Sequence, residues 1–374
     1  ELIETFFTLV NYIETRGRQV EGAGLVSALL PTLRQLLQAR PQDDDLKLLL
    51  ATSLVMLGVY ELIAEHRVIA QAYLKEGMAL LESLPPSKGK AFALILCGFG
   101  AVPFSGLNLS GAQIEDNYRQ TLQTMQAAGD PWGLGLTYIS HPVTDPTNLA
   151  FLHTLQEETQ TALEIFTRLG SVWGQAFCYN RLSQFVPWRS NLQEARDYAL
   201  KAAAIYRELG DAYRLVSAQL HLGQVETALG DYDRAKAYYE DNLRVVSQLG
   251  RRYYIAVHQD AIGYIELLQG NFDAAERLYQ SSLALYQELE NEHGVGMSLA
   301  NLGDVALRRG DPDRAEQLLQ EGLEHQLAVR IPWGILVCLK KLGLVAFTSG
   351  RLEKAAQRWR QARIHDELHA LQDV

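Results

Sequence analysis

The sequence contains little that would fit a secreted or membrane-spanning protein. Only three cysteines occur in 374 residues, and their odd number and wide separation argue against a disulfide framework or a Cys-rich zinc site. We therefore expect a reducing, cytoplasmic setting. The longest apolar stretch, Ala91 to Phe104, covers about 14 residues and is interrupted by glycines, so it is too short to span a bilayer.

A basic surplus is also absent. Acidic residues outnumber basic ones by 44 to 34, which gives a net charge of −10, so we expect no direct nucleic-acid partner. No basic segment followed by an apolar core and a small-residue cleavage site is visible, so no signal peptide is expected. The chain starts at Glu1 rather than at Met, which suggests a fragment of a longer protein.

What the sequence does contain is a repeat of 40 residues. Two glycine series and one alanine series share this spacing, and matches in one register over five units are not expected by chance. The three series are Gly223, Gly263, Gly303 and Gly343; Gly230, Gly270, Gly310 and Gly350; and Ala195, Ala235, Ala275, Ala315 and Ala355.

Each unit is predicted to be a pair of helices, because apolar residues recur at three- and four-residue spacing between the turns. Gly223 and its equivalents let a neighbouring helix approach closely, and a large residue 16 positions later fills the gap, as at Tyr239, Tyr279, Leu319 and Trp359. Gly230 and its equivalents end the first helix, where positive φ is needed, and Asp or Asn then caps the second.

This pattern resembles the tetratricopeptide repeat, with helices longer than usual. The resemblance implies an all-α, right-handed superhelical solenoid of about nine antiparallel helix pairs. Earlier units are anchored at Leu57-Gly58 and at Gly98, and a helix at Glu1 to Thr15 begins the array. We expect one domain over residues 1–374, with N-terminal repeats at 1–85, irregular repeats at 86–170 and regular repeats at 171–374.

The repeat is broken in three consecutive units. One carries an insertion at Val102 to Gly111, the next has Pro142 at the glycine position, and the third ends its first helix at Pro187-Trp188. Proline removes a helical hydrogen bond, so these first helices should be short and leave room for a ligand. The alternative is drift in a tolerant array. The candidate pocket residues are Phe99, Phe104, His141 and Trp188.

In the tetratricopeptide family the first helix of each pair lines the concave groove in which partners are bound. Carried over by position, the groove-lining set is Asn180, Arg181, Gln184, His221, Gln224, Asp260, Tyr264, Asn301, Asp304, Arg308, Lys340 and Lys341. The set has four basic and two acidic members, so it would suit a carboxylate-bearing ligand or a peptide held by side-chain amides. The alternative is an ordinary solvated face.

Motifs for catalysis, metal binding or cofactor binding are missing. There is no phosphate-binding Gly-Lys-Ser/Thr loop, no Gly-x-Ser-x-Gly elbow and no dinucleotide loop around Gly98. His365 and His369 are spaced as a metal clip on one helix, but Asp366 stands where a zinc protease has Glu. Cys97 and Cys178 lie in apolar segments as ordinary thiols. We therefore expect no enzyme, cofactor or metal.

The Trp-Gly openings Trp132-Gly133, Trp173-Gly174 and Trp333-Gly334 make the array similar to the sensors of bacterial STAND signal-transduction ATPases, including the maltose-regulator type. That resemblance implies an inducer in the groove that controls an ATPase module outside this chain. The alternative is a protein-binding adaptor or a peptide-pheromone receptor of the same fold. Phe99 and His141 distinguish a pocket in the irregular units from a long continuous groove.

Overall fold

A computed structural model shows an all-α protein. The structure describes residues 19–63, 65–99, 111–143, 148–185 and 191–372, and 17 helices account for the regular structure in these ranges. This confirms the predicted fold class; the helix predicted at Glu1 to Thr15 lies outside the described residues. The helices are α1 (Gln19–Ala39), α2 (Asp44–Ile63), α3 (Arg67–Glu82), α4 (Lys88–Phe99), α5 (Gly111–Ala127), α6 (Pro131–Ser140), α7 (Leu149–Arg168), α8 (Val172–Phe185), α9 (Leu192–Leu209), α10 (Ala212–Leu229), α11 (Tyr232–Gln248), α12 (Arg252–Leu268), α13 (Phe272–Glu288), α14 (Glu292–Arg308), α15 (Pro312–Val329), α16 (Pro332–Thr348) and α17 (Leu352–Gln372).

The helices form two compact units. The first unit is Glu1–Thr144 with Leu152–Ala218, and the second is Asp145–Phe151 with Gln219–Val374. In the second unit consecutive helices pack as pairs, α12 with α13, α14 with α15 and α16 with α17, and each pair packs on the next. None of the helices in the described ranges has both the length and the apolar character needed to cross a membrane.

The predicted role of the first glycine series is confirmed. A Cβ atom on Gly263 would lie 2.9 Å from Cε1 of Tyr279, and one on Gly303 would lie 2.8 Å from Cγ of Leu319, both closer than real Cβ contacts. Tyr279 and Leu319 are completely buried. A side chain at either glycine would therefore force apart the two helices of a pair, which explains the 16-residue spacing between the small and the large residue.

The second glycine series ends helices, as predicted. Gly230, Gly270 and Gly310 have φ between 82° and 83°, a left-handed conformation that favours residues without a Cβ atom. The side chain of Asp231 then accepts a hydrogen bond from the backbone N–H of Arg234 and caps α11. These turns position each second helix against the first helix of its own pair.

Two junctions between pairs use the same backbone conformation without glycine. Gly210 and Gly250 have φ of 69° and 65°, and the equivalent residues Glu290 and Arg330 have φ of 51° and 55°. The geometry of the junction is thus kept at positions where the residue type is unfavourable.

The first helices are short where the repeat is irregular, as predicted. α4, α6 and α8 have 12, 10 and 14 residues, whereas α12, α14 and α16 each have 17. α6 ends just before Pro142. The insertion after Val102, the candidate residues Phe104 and Trp188, and the side chain of Phe99 lie outside the described part.

Candidate ligand-binding surfaces

The residues predicted to line the groove all lie on first helices, namely α8, α10, α12, α14 and α16. Five of these side chains are exposed, and the others are half-buried with polar contacts of their own. The exposed members are Gln184, Gln224, Tyr264, Arg308 and Lys340; the half-buried members are Asn180, Arg181, His221, Asp260, Asn301, Asp304 and Lys341. Their part in binding a ligand remains a prediction.

In the second unit a lysine neutralises one of the two predicted acids. Lys341 Nζ on α16 lies 2.5 Å from Oδ2 of Asp304 and 3.5 Å from Oδ1 of Asn301, both on α14. Because the two partners of the ion pair are only about one-fifth exposed, the charge of Asp304 is largely compensated inside the protein.

The other acid is held by hydroxyl groups. The hydroxyls of Ser282 and Ser298 both donate to Oδ1 of Asp260, the second at 3.4 Å. Burial raises the pKa of Asp260 to about 7, although the hydrogen bonds from Ser282, Tyr286 and Ser298 oppose the rise. Near neutral pH this carboxyl group therefore carries only part of a negative charge.

Tyr279 lies beneath this surface and brings its members together. The pKa of the Tyr279 phenol is raised by burial first and then by the nearby charges of Asp260 and Asp304, while Arg308 lowers it. The Tyr279 hydroxyl has no hydrogen-bond partner in the described part of the chain. Residues from α12 and α14 thus share one local environment around a buried phenol.

The charges that remain on the outside of this surface are positive. Arg308 and Lys340 are exposed, and Tyr264 and Leu344 expose 48% and 45% of their area beside them in the repeat register. We call these four residues the ladder surface. It combines two cations with two apolar side chains, on a chain whose net charge is −10.

His221 is part of the predicted groove set but is unsuited to carry a charge. Burial lowers its pKa to about 4, so the imidazole is neutral at physiological pH. The position can therefore offer a neutral hydrogen-bonding ring but not a cation.

In the first unit, His141 lies at the centre of a polar cluster. Its Nδ1 is 2.7 Å from Oε2 of Glu158 and its Nε2 is 3.1 Å from Oε2 of Glu115. The Tyr118 ring stacks on the imidazole with centroids 3.6 Å apart, and the Tyr118 hydroxyl donates to Oε1 of Glu158 at 2.6 Å. The histidine is 3% exposed, so this predicted pocket residue is covered by its neighbours.

Arg181 joins the same cluster from the next pair. Its guanidinium donates to the carbonyl oxygens of Ile139, at 3.0 Å, and of His141, and its Nε donates to Oγ1 of Thr159 at 3.2 Å. Burial lowers the pKa of Arg181 to about 10, while Glu158 raises it. Two residues predicted for separate sites, a groove and a pocket, are therefore in direct contact.

Sequence reasoning missed the other members of this cluster, Glu115, Tyr118 and Glu158. The repeat register contains a signal for them, because Tyr118 and Glu158 are 40 residues apart, as are His141 and Arg181. Side chains at the same position of successive units lie next to each other in a stacked array.

The predicted thiol chemistry is confirmed where it is described. Cys178 and Cys338 are free and completely buried, and burial raises the pKa of the Cys338 thiol to about 11. Within the described ranges no group of three or more His, Cys, Asp or Glu side chains could hold a metal ion.

Comparison with known families identifies two segments as tetratricopeptide repeats. Family models described as tetratricopeptide repeat match residues 216–243 and 254–328. No curated protein matches the sequence.

Solved structures are similar over much of the chain. A Rap protein complexed with Competence and Sporulation Factor is 14% identical, with a TM-score of 0.71, over 99% of both chains. NprR in complex with its cognate peptide NprX is 17% identical, with a TM-score of 0.51, over 68% of this chain and 74% of NprR. A STAND protein with a tetratricopeptide repeat sensor from Pyrococcus horikoshii is 14% identical, with a TM-score of 0.51, over 86% of this chain and 51% of its own. The chain is thus an array of helix pairs that carries tetratricopeptide repeats and resembles that sensor-bearing STAND protein in fold.

Proposed function

We propose that the protein is a non-catalytic binding domain whose second unit holds a peptide, or a segment of a protein, that carries a carboxylate. The observation that carries this proposal is the charge state of the first helices. Lys341 neutralises Asp304, Asp260 is partly protonated, and Arg308 and Lys340 are left exposed. A surface with free cations and compensated acids favours an anionic ligand.

The apolar members of the ladder surface favour a peptide over a small inorganic anion. Tyr264 and Leu344 are large side chains that lose water when another chain packs on them, and aromatic residues are frequent energetic centres of interfaces. The similar folds of a Rap protein complexed with Competence and Sporulation Factor and of NprR complexed with the peptide NprX support this ligand class.

We further propose that ligand binding controls a STAND-type ATPase or transcription regulator, as the resemblance to such a sensor suggests. The ligand would act by binding one arrangement of the repeats more tightly than another. The alternative is a stand-alone peptide receptor or adaptor. The similarity to a Rap protein over 99% of both chains supports this alternative, since no ATPase module is needed.

The binding proposal is tested with a labelled random-sequence peptide pool in two forms, one with free C-terminal carboxylates and one amidated. Fluorescence anisotropy should show binding of the carboxylate pool and a weaker signal from the amidated pool. The double variant Arg308→Ala/Lys340→Ala should weaken binding roughly tenfold or more.

The matched control is Arg277→Ala, which removes an exposed arginine from the second helix α13. Equal binding of the two pools, or an equal loss in the control and the double variant, would refute the carboxylate-binding groove. His141→Phe should leave binding unchanged, since His141 lies in the first unit.

A further inference from the structure

The last helix pair exposes an apolar surface at its outer side. Phe347 on α16 and Leu352 and Trp359 on α17 expose 51%, 62% and 41% of their areas. The rings of Phe347 and Trp359 are in contact, with centroids 5.8 Å apart. We call these three residues the end patch.

Equivalent positions in earlier pairs show what kind of element covers such a face. Trp359 stands 40 residues after Leu319 and 80 after Tyr279, both of which are completely buried. Tyr279 shares a core cluster with Val295 and Leu299 of α14. Leu319 likewise shares one with residues of α16. In this protein, therefore, an α-helix packs over this position.

The end patch differs from those internal faces in its charge. Arg358 and Arg363 of α17 occupy the positions of Leu318 and Leu323, which are 7% and 4% exposed. The guanidinium of Arg358 reaches only neutral amide oxygens, those of Gln320 and Gln361. Another helix of the same apolar kind would bury these guanidinium groups without carboxylate partners, which is costly.

A second copy of the chain is an equally poor occupant. If two end patches met about a twofold axis, Arg358, Arg360 and Arg363 of one copy would approach those of the other, and like charges brought together oppose association. The face is built for a helix that is apolar on one side and acidic beside it.

We propose that the end patch and its three arginines form a docking surface for an acidic amphipathic α-helix of a partner protein. The apolar side of the partner helix packs on Phe347, Leu352 and Trp359, and its carboxylates pair with Arg358, Arg360 and Arg363. None of these residues belongs to the ladder surface, so this inference does not depend on the proposed peptide site.

The probe is a fluorescein-labelled synthetic helix of about 18 residues, or five turns, with leucines at i, i+3, i+4 and i+7 and glutamates on the flanks. Its charge control replaces every glutamate by lysine. The acidic helix should bind the whole protein and the lysine helix should not. Charge reversal by Arg360→Glu/Arg363→Glu should weaken binding of the acidic helix roughly tenfold or more and restore binding of the lysine helix.

Phe347→Ser should weaken binding of the acidic helix by a similar factor, while Leu249→Ser, at a 57% exposed leucine elsewhere, should have no effect. Arg308→Ala should also have no effect, which separates this surface from the ladder surface. Binding of neither helix, or equal binding of both, overturns the proposal. A concentration-dependent dimer in sedimentation that Phe347→Ser abolishes would assign the face to a second copy and overturns it as well.

Discussion

The guanidinium of Arg181 on α8 donates a hydrogen bond to the backbone carbonyl oxygen of His141, the residue 40 positions earlier. α6 ends at Ser140, and Pro142 has no N–H group with which to continue the helical hydrogen bonds. Arg181 supplies donors to two carbonyls at this end, those of Ile139 and His141. The arginine therefore stabilises a helix end in the neighbouring pair.

Replacing this arginine should destabilise the first unit. We expect Arg181→Met to lower the free energy of unfolding by about 3 kcal/mol, because two buried carbonyls lose their donors. Urea denaturation followed by circular dichroism measures the change. Gln184→Ala, one turn further along α8 at an exposed position, should change the stability by less than about 0.5 kcal/mol. Similar effects of the two variants would show that the arginine does not stabilise the end of α6.

The sequence predicted the fold well because the repeat specifies backbone packing. Gly263 and Tyr279 must be 16 residues apart if a ring is to occupy the space left by a missing side chain, so the spacing alone reveals the helix pair. The same register places Arg181 on the first helix α8, as predicted. Periodicity reports a residue's position on a helix, and this is sufficient for the architecture.

Periodicity does not report what a polar side chain contacts. Asp260 was predicted to line a groove, but its carboxyl group accepts hydrogen bonds from Ser282 on α13 and Ser298 on α14. Those contacts depend on how three helices pack and on two serines whose register gave no sign of them. The same limit applies to Glu115 and Glu158, since a surface glutamate on a helix is common and only the packing brings both to His141.

Asp260 should make stability depend on pH in a defined direction. Its pKa is about 7 in the folded protein, against 3.8 for the model value, so the contribution of this group is fully present below pH 4 and is lost as the pH rises toward 7. Asp260→Asn removes the cost of ionisation, and at pH 8 we expect it to gain about 1 to 3 kcal/mol relative to its difference from wild type at pH 4. Denaturant titrations at both pH values measure this. A wild-type-to-variant difference that is the same at pH 4 and pH 8 would contradict the raised pKa.

His221 should act in the opposite sense. Because burial lowers its pKa from 6.5 to about 4, the contribution of the neutral ring is present above pH 6.5 and is lost as the pH falls toward 4. We expect His221→Gln to lose less stability than wild type between pH 7 and pH 4, by at most about 3 kcal/mol.

The comparison for His221 must be made between variant and wild type, because burial also lowers the pKa values of His258 and His293. Both proteins will therefore lose stability in acid, and the difference between them isolates the one ring. Thermal unfolding midpoints measured in steps from pH 7 to pH 4 provide it. Parallel curves for the two proteins would mean that His221 titrates normally.

The junction at Arg330 offers a stabilising substitution. Arg330 has φ of 55° and ψ of 41° at the end of α15, where Gly210 occupies the equivalent position after α9. A left-handed conformation costs a residue with a side chain about 1 to 2 kcal/mol, whereas glycine adopts it freely and loses somewhat more entropy on folding. Arg330→Gly should therefore raise the free energy of unfolding by about 0.5 to 1 kcal/mol in urea denaturation. Arg277→Gly, in the middle of α13, should lower it by about 1 kcal/mol; if both variants lose stability equally, strain at this junction is not the reason.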